Sequence, residues 1–111
     1  MPIGLVASLG EFLAYLEILN IDAKAEFLSG QSGVDIELKN GKRIEVKTAR
    51  FDKDYRIWGF GRTKPSKFAY LICVALDEEL KPDFFIFTRE EAEQLPTEEE
   101  AHEGRTKRFN R

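Results

Sequence analysis

The stretch Val34-Asp35-Ile36-Glu37-Leu38-Lys39-Asn40-Gly41-Lys42-Arg43-Ile44-Glu45-Val46-Lys47 decides the fold. Val34, Ile36 and Leu38 alternate with Asp35, Glu37 and Lys39; beyond Asn40-Gly41, Ile44 and Val46 alternate with Arg43, Glu45 and Lys47. Period-two alternation marks half-buried strands, so this is a hairpin with one apolar and one polar face. A two-residue Asn-Gly turn would pair Asp35 with Val46 and mismatch both faces. A three-residue loop, Lys39-Asn40-Gly41 with Gly41 left-handed, restores the match. It sets Ile36 opposite Ile44, Val34 opposite Val46, Glu37 opposite Arg43, and Asp35 opposite Glu45. Face matching decides the register, because a slip by one residue would turn every apolar side chain to solvent.

Outward from the hairpin, Leu5, Leu9, Phe12, Leu13 and Leu16 recur at four- and three-residue steps and predict a helix with that stripe inward, ending near Asn20. Ala23 to Leu28 is a short first strand, followed by the glycine-punctuated turn Ser29-Gly30-Gln31-Ser32-Gly33. Residues 48–67 read as an irregular basic and aromatic segment, with a short helix starting at Pro65. Phe68 to Leu76 is a continuous apolar run suited to a buried central strand. Asp77 to Pro82 is a turn, and Phe84 to Phe87 a further strand. Thr88-Arg89-Glu90-Glu91 is a capping box that opens a helix over 89–95. An acidic helical turn follows Pro96, and the tail from Gly104 reads as poorly ordered. The order is helix, hairpin, strand, strand, helix. It predicts an α/β chain of the α+β kind, with a mixed sheet and helices around it.

With 111 residues the chain is one domain's worth, and 12% aromatic content, nine Phe among it, is enough for a core. No apolar run is long enough to span a bilayer, so no membrane partner is expected. The start Met1-Pro2-Ile3-Gly4 lacks the basic region and cleavage site of a signal peptide. One Cys and one His exclude a Cys/His zinc cluster within the chain. The lone Cys73 leaves no internal disulfide and no disulfide-linked partner is expected, which suits the cytoplasm. The net charge of −3 hides segregation. Residues 42–67 carry nine basic and three acidic groups, and 101–111 four basic and one acidic, around the acidic block 68–100. A basic middle of this kind is what a polyanion site requires. Dense surface charge of the sort thermophiles use is the alternative.

Asp35 opposite Glu45, with Lys47 two residues further on the same face, sets like charges across a strand pair, which destabilises it. A divalent cation resolves the conflict. Mg²⁺ takes hard oxygen ligands, commonly one or two carboxylates completed by water and phosphate. Asp35, Glu45 and the backbone carbonyl of Val46 would make such a site. A lysine beside it orients or deprotonates a water and offsets charge on a phosphoryl group. An ordinary solvated face, with Glu37–Arg43 and Glu45–Lys47 as surface pairs, is the competing reading of the hairpin alone.

Gly33-Val34-Asp35, the hairpin, and then Glu45-Val46-Lys47 resemble the PD-(D/E)XK nuclease superfamily, which includes restriction endonucleases and archaeal Holliday-junction resolvases. The resemblance covers about residues 5–95, with Val34 standing where the motif's name has proline. It implies a restriction endonuclease-like αβββαβ core over 1–96, with 97–111 as an acidic helical turn and a basic tail. It further implies that Asp35 and Glu45 ligate metal, that Lys47 is the catalytic lysine, and that Glu11 is the glutamate many members carry on the first helix. Gln31, in the loop before Asp35, would touch the scissile phosphate or simply serve the turn. The segment Trp58-Gly59-Phe60-Gly61-Arg62-Thr63-Lys64 mixes rings, glycines and bases as a nucleic-acid loop does.

The expected function is therefore a Mg²⁺-dependent DNA endonuclease, with Mn²⁺ able to substitute. Arg43, Arg50, Arg56, Arg62, Lys64 and Lys67 would hold the DNA backbone. A chain this short has no room for a separate sequence-reading domain, so structure-selective or non-specific cutting is expected, and a homodimer would serve to cut two strands. The alternatives are a non-catalytic nucleic-acid-binding or assembly module of the same fold, and an interaction protein whose acidic helix docks a basic partner.

Overall fold

The computed structural model describes residues 3–28, 35–51, 53, 57–60, 68–94 and 107–110. Helix α1 (Ile3–Leu19) leads into β1 (Glu26–Phe27), β2 (Ile36–Glu37) and β3 (Arg43–Arg50). Then come β4 (Ile57–Phe60), β5 (Tyr70–Leu76), β6 (Pro82–Thr88), α2 (Arg89–Glu93) and β7 (Lys107–Asn110). Five strands form one mixed sheet in the order β1-β2-β3-β5-β6, and β4 pairs with β7 in a separate ribbon. The chain is an α+β protein, as expected. Among the described residues no helix is long and apolar enough to cross a membrane.

The hairpin has the register that face matching requires. Ile36 faces Ile44 and Glu37 faces Arg43, with the Arg43 Nε 3.5 Å from the Glu37 carboxylate. Gly41 has φ +87°, the left-handed conformation the three-residue loop needs. Leu38 N–H donates to Lys42 O at 2.8 Å, and Gly41 N–H to Leu38 O at 2.9 Å. Asp22 fixes this loop from outside, its Oδ2 accepting the Lys39 N–H at 2.8 Å. The expected pairing of Val34 with Val46 lies outside the described residues.

Strand β5 is an interior strand between β3 and β6, with six of its seven residues buried. It runs parallel to β3 and antiparallel to β6. Its two faces serve two cores. Ile72, Val74 and Leu76 join Ile36, Ile44, Val46, Ala14 and Ile18 under α1. Leu71, Cys73 and Ala75 join Ala49, Phe60, Phe68 and Ala92 on the other side.

Four local readings change. The expected inward stripe of α1 is only in part its buried face: Leu9 and Leu13 pack against the core, but Leu5, Phe12 and Leu16 are exposed, at 58%, 57% and 45%. The fully buried row facing the sheet is Val6, Gly10, Ala14 and Ile18. A helix apolar nearly all round gives periodicity little direction; close approach decides, and the row with Gly10 and Ala14 permits it. A Cβ on Gly10 would lie 1.7 Å from Thr48 Oγ1. Second, the segment expected to be irregular contains the end of β3 and all of β4. Third, the tail is not wholly unordered, because Lys107–Asn110 pairs antiparallel with β4. Its polar composition hides the strand, but an edge with unmet backbone groups can order it. Fourth, α2 ends at Glu93 rather than 95, with Gln94 as its C-cap. Its capping box is present as expected: Glu91 N–H donates to Thr88 Oγ1 at 3.1 Å and Thr88 N–H to Glu91 Oε1 at 2.9 Å. The expected helix at Pro65 lies outside the described residues.

Candidate active site

The regular β2–β3 ladder ends at Ile36–Ile44, and there the backbone changes partner. Asp35 N–H donates to Ile44 O at 3.0 Å, and the Asp35 Oδ2 accepts the Val46 N–H at 2.7 Å. The expected direct opposition of Asp35 and Glu45 is thus replaced by a carboxylate drawn toward the plane of the sheet, standing in for a strand partner. In extended backbone the N–H and C=O of a residue leave on the same side, so the Val46 carbonyl also points toward Asp35's side of β3.

Alternation along β3 puts Ile44, Val46 and Thr48 under α1 and Glu45, Lys47 and Ala49 on the opposite face. Glu45 is 5% exposed, a rare burial for an acidic residue. Its Oε1 lies 3.6 Å from the Lys47 Nζ, and its Oε2 is buried with no hydrogen-bond partner among the described residues. An orphaned carboxylate oxygen in a dry site is costly unless something meets it.

Glu11 arrives from the other face. It follows Gly10 on α1, and the same close helix–sheet approach brings it half-buried to Asp35. The Glu11 and Asp35 carboxyls lie side by side, an arrangement that raises the pKa of Glu11 and favours a shared proton on Glu11 over one on Asp35. Because Asp35 lies near the sheet plane, it links Glu11 on one side to Glu45 and Lys47 on the other.

All three carboxyls titrate above their ordinary range. Burial is the main cause for Glu11, reinforced by the Asp35 charge and hydrogen bond and opposed by Lys47. Burial also raises Asp35, against the Val46 N–H, Glu11 and Lys47, each of which favours its charged form. Burial raises Glu45, with Lys47 opposing and Asp35 adding to the rise. Crowded carboxyls that hold protons too tightly are a common property of sites that take up a cation or a proton.

Among the described residues no three Asp, Glu, His or Cys side chains close into a cage for a metal ion. Mg²⁺ does not need one, since it keeps several waters and takes one or two carboxylates. The Asp35 oxygen that Val46 does not engage, the Glu45 Oε2 and the Val46 carbonyl fit a partial shell of hard oxygens.

The expected phosphate-binding residues divide. Arg43 and Arg50 lie exposed at the two ends of β3, flanking the cluster, and Arg43 is paired with Glu37. Gln31, Arg56, Arg62, Lys64 and Lys67 lie outside the described residues. Sequence reasoning overlooked Gly10 and Thr48, whose contact sets the depth of Glu11. The signal was present in the four-residue spacing Val6, Gly10, Ala14, Ile18, with small residues at its centre.

Fold and cluster together define an α+β protein with a mixed sheet and a buried carboxylate–lysine group where one strand ladder ends. Comparison with protein-family models and with curated proteins finds no match to this chain.

Proposed function

We propose that this protein is a Mg²⁺-dependent DNA endonuclease resembling the PD-(D/E)XK nucleases. The observation that carries the reading is the convergence of Glu11, Asp35, Glu45 and Lys47, with a buried Glu45 oxygen that no group among the described residues meets. A solvated polar face accounts for Glu37–Arg43, which is half-exposed, but not for a 5% exposed glutamate.

Asp35, Glu45 and the Val46 carbonyl would hold the ion, which supplies positive charge to a phosphodiester under attack and to the water that attacks it. Mn²⁺ would substitute. Lys47 sits beside Glu45, where its ammonium orients a water or stabilises charge gathering on the phosphoryl oxygens. Glu11 lies against Asp35 and would steady that carboxylate's orientation. Arg43, on the face of β3 that carries Glu45 and Lys47, is exposed beside the cluster and would meet a backbone phosphate there; Arg50 projects from the opposite face.

The test is cleavage of plasmid, flap, junction and single-stranded DNA with and without Mg²⁺. Lys47→Ala should abolish metal-dependent cleavage and leave DNA affinity within a few-fold, since one cation among many carries little of the electrostatic binding. Equal loss of both would make Lys47 a phosphate contact only, and no cleavage by the intact protein on any substrate would end the proposal.

A further inference from the structure

The two edges of the main sheet are unequal. β1 is two residues long, both exposed, and one of them is Glu26, a short charged edge of the kind that resists pairing. β6 is seven residues long, and Ile86 on it is 58% exposed.

The hydrogen-bond phase of β6 follows from its ends. Asp77 N–H donates to Lys81 O at 3.0 Å and Arg89 N–H to Ala69 O at 3.0 Å. These pairs share the register of β5 with β6, so the odd-numbered residues of β6 spend their backbone groups on β5. The even-numbered residues, Pro82, Phe84, Ile86 and Thr88, turn theirs outward. Pro82 has no N–H, and the Thr88 N–H is taken by Glu91 Oε1. Two outward donors are left, Phe84 and Ile86, and among the described residues no strand pairs with them.

We infer that two copies of this chain join by antiparallel pairing of β6 with β6 about a two-fold axis through Phe85. In that register Phe84 of each copy faces Ile86 of the other, and both exchange N–H···O bonds in each direction. All four free donors are met, and the ladder stops where Pro82 and the capping box leave nothing to give. Lys81 falls opposite the partner's Arg89, but each already has its own acid, Glu79 at 3.6 Å and Glu93 at 3.4 Å.

The side chains agree with the backbone. Beside Ile86 lies an apolar groove of about 600 Å³, lined by Ile18, Ile21, Leu38, Ile44, Ile72 and Ile86 among others. Ile21 on its rim is 81% exposed. Phe84 and Ile86 point to this same face, that of α1. Pairing brings the partner's Phe84 against Ile86 and over the groove, so strand addition and apolar burial occur together.

The result is a continuous ten-stranded sheet with both α1 helices on one face and both Glu45–Lys47 pairs on the other. Glu45, Leu71 and Phe87 share one row across the sheet, two residues from the axis. Five strand spacings of about 4.8 Å and four residue rises of about 3.4 Å set the two Glu45 positions about 28 Å apart before twist. This spacing suits two cuts in opposite strands of one duplex, a consequence that rests on the nuclease reading; the dimer does not.

The test is sedimentation and amide exchange of the full chain without DNA or metal, so its outcome is independent of cleavage. The wild type should be a dimer whose Phe84 and Ile86 amides exchange slowly, and more slowly at higher concentration. Ile86→Lys should weaken association at least tenfold with its circular dichroism unchanged, whereas Phe12→Lys, on the exposed face of α1, should leave the dimer intact. A monomer at the highest soluble concentration, or concentration-independent exchange at Phe84 and Ile86, overturns the inference. So does a dimer that survives Ile86→Lys. The wild-type exchange data decide the matter even if that variant fails to fold.

Discussion

Replacing Gly10 by alanine ought to stabilise a helix, and here it should do the opposite. In an exposed helix the change is worth about 1 kcal/mol in alanine's favour. At this position the new Cβ would lie 1.7 Å from Thr48 Oγ1, 2.5 Å from its Cγ2 and 2.6 Å from its Cβ. Thr48 cannot rotate clear. Its two heavy substituents occupy the two staggered positions nearest the helix, and any rotation about χ1 leaves at least one of those positions filled. The Cβ itself does not move with χ1. Helix and strand must therefore separate, and separation unpacks Ala14 and Ile18 from the sheet. Overpacking of this kind costs about 1–3 kcal/mol or more, so the net expectation is a loss of about 2 kcal/mol and a melting temperature lower by about 8 °C. Thermal melts of Gly10→Ala, Thr48→Ala and the double variant measure it. Thr48→Ala removes Oγ1 and Cγ2 but keeps the Cβ, so the double variant should recover part of the loss. The same retreat of α1 draws Glu11 away from Asp35, and on the proposed reading any stabilisation by Mg²⁺ should shrink with it. A Gly10→Ala protein that melts at or above the wild type would refute the close-approach argument outright.

Other expectations concern charge and capping. Asp35→Asn keeps an oxygen for the Val46 N–H and removes like-charge repulsion of about 1 kcal/mol, so it should raise the melting temperature in EDTA and abolish most of the Mg²⁺ stabilisation. Glu37→Gln, paired only with Arg43, should do neither, and identical behaviour of the two variants would remove the case for a site. Because burial raises Glu11, Asp35 and Glu45, the folded chain binds protons more tightly than the unfolded one. The stability that follows is complete below the ordinary carboxylate range and is lost as pH rises through the folded values. Metal-free melts should therefore improve as the pH is lowered from neutrality toward the ordinary carboxylate range, less steeply in Glu45→Gln; equal slopes would contradict the burial argument. Thr88→Ala should cost about 0.5–2 kcal/mol through the lost cap, read by denaturant unfolding, and an unchanged midpoint would mean that α2 adds nothing to stability.

What the sequence disclosed and what it withheld have physical causes. The hairpin register was legible because alternation leaves one solution, and Ile36–Ile44 and Glu37–Arg43 follow from it. The capping box was legible because Thr88 and Glu91 need only each other. The inward face of α1 was not, since nearly every turn offers a leucine or phenylalanine and the choice rests on the Gly10–Thr48 contact, 38 residues apart in the chain. Strand β7 was hidden because its partner β4 lies about fifty residues away and its own residues are mostly polar. The grouping of Asp35, Glu45 and Lys47 could be read from spacing. The in-plane turn of Asp35 toward the Val46 N–H could not, for it depends on where the ladder stops.

That turn divides the work of one side chain between two oxygens. Oδ2 of Asp35 is committed to the backbone of β3, so a cation can draw on the other oxygen while the strand keeps its hold on the first. Frame and chemistry are joined through three bonded atoms. Asparagine at this position separates them, retaining the structural oxygen and discarding the charge, whereas alanine would remove both. On the proposed reading, a defect of an Asp35 variant would therefore have two distinguishable origins, and it must be weighed against the condition of the strand that Asp35 ties down.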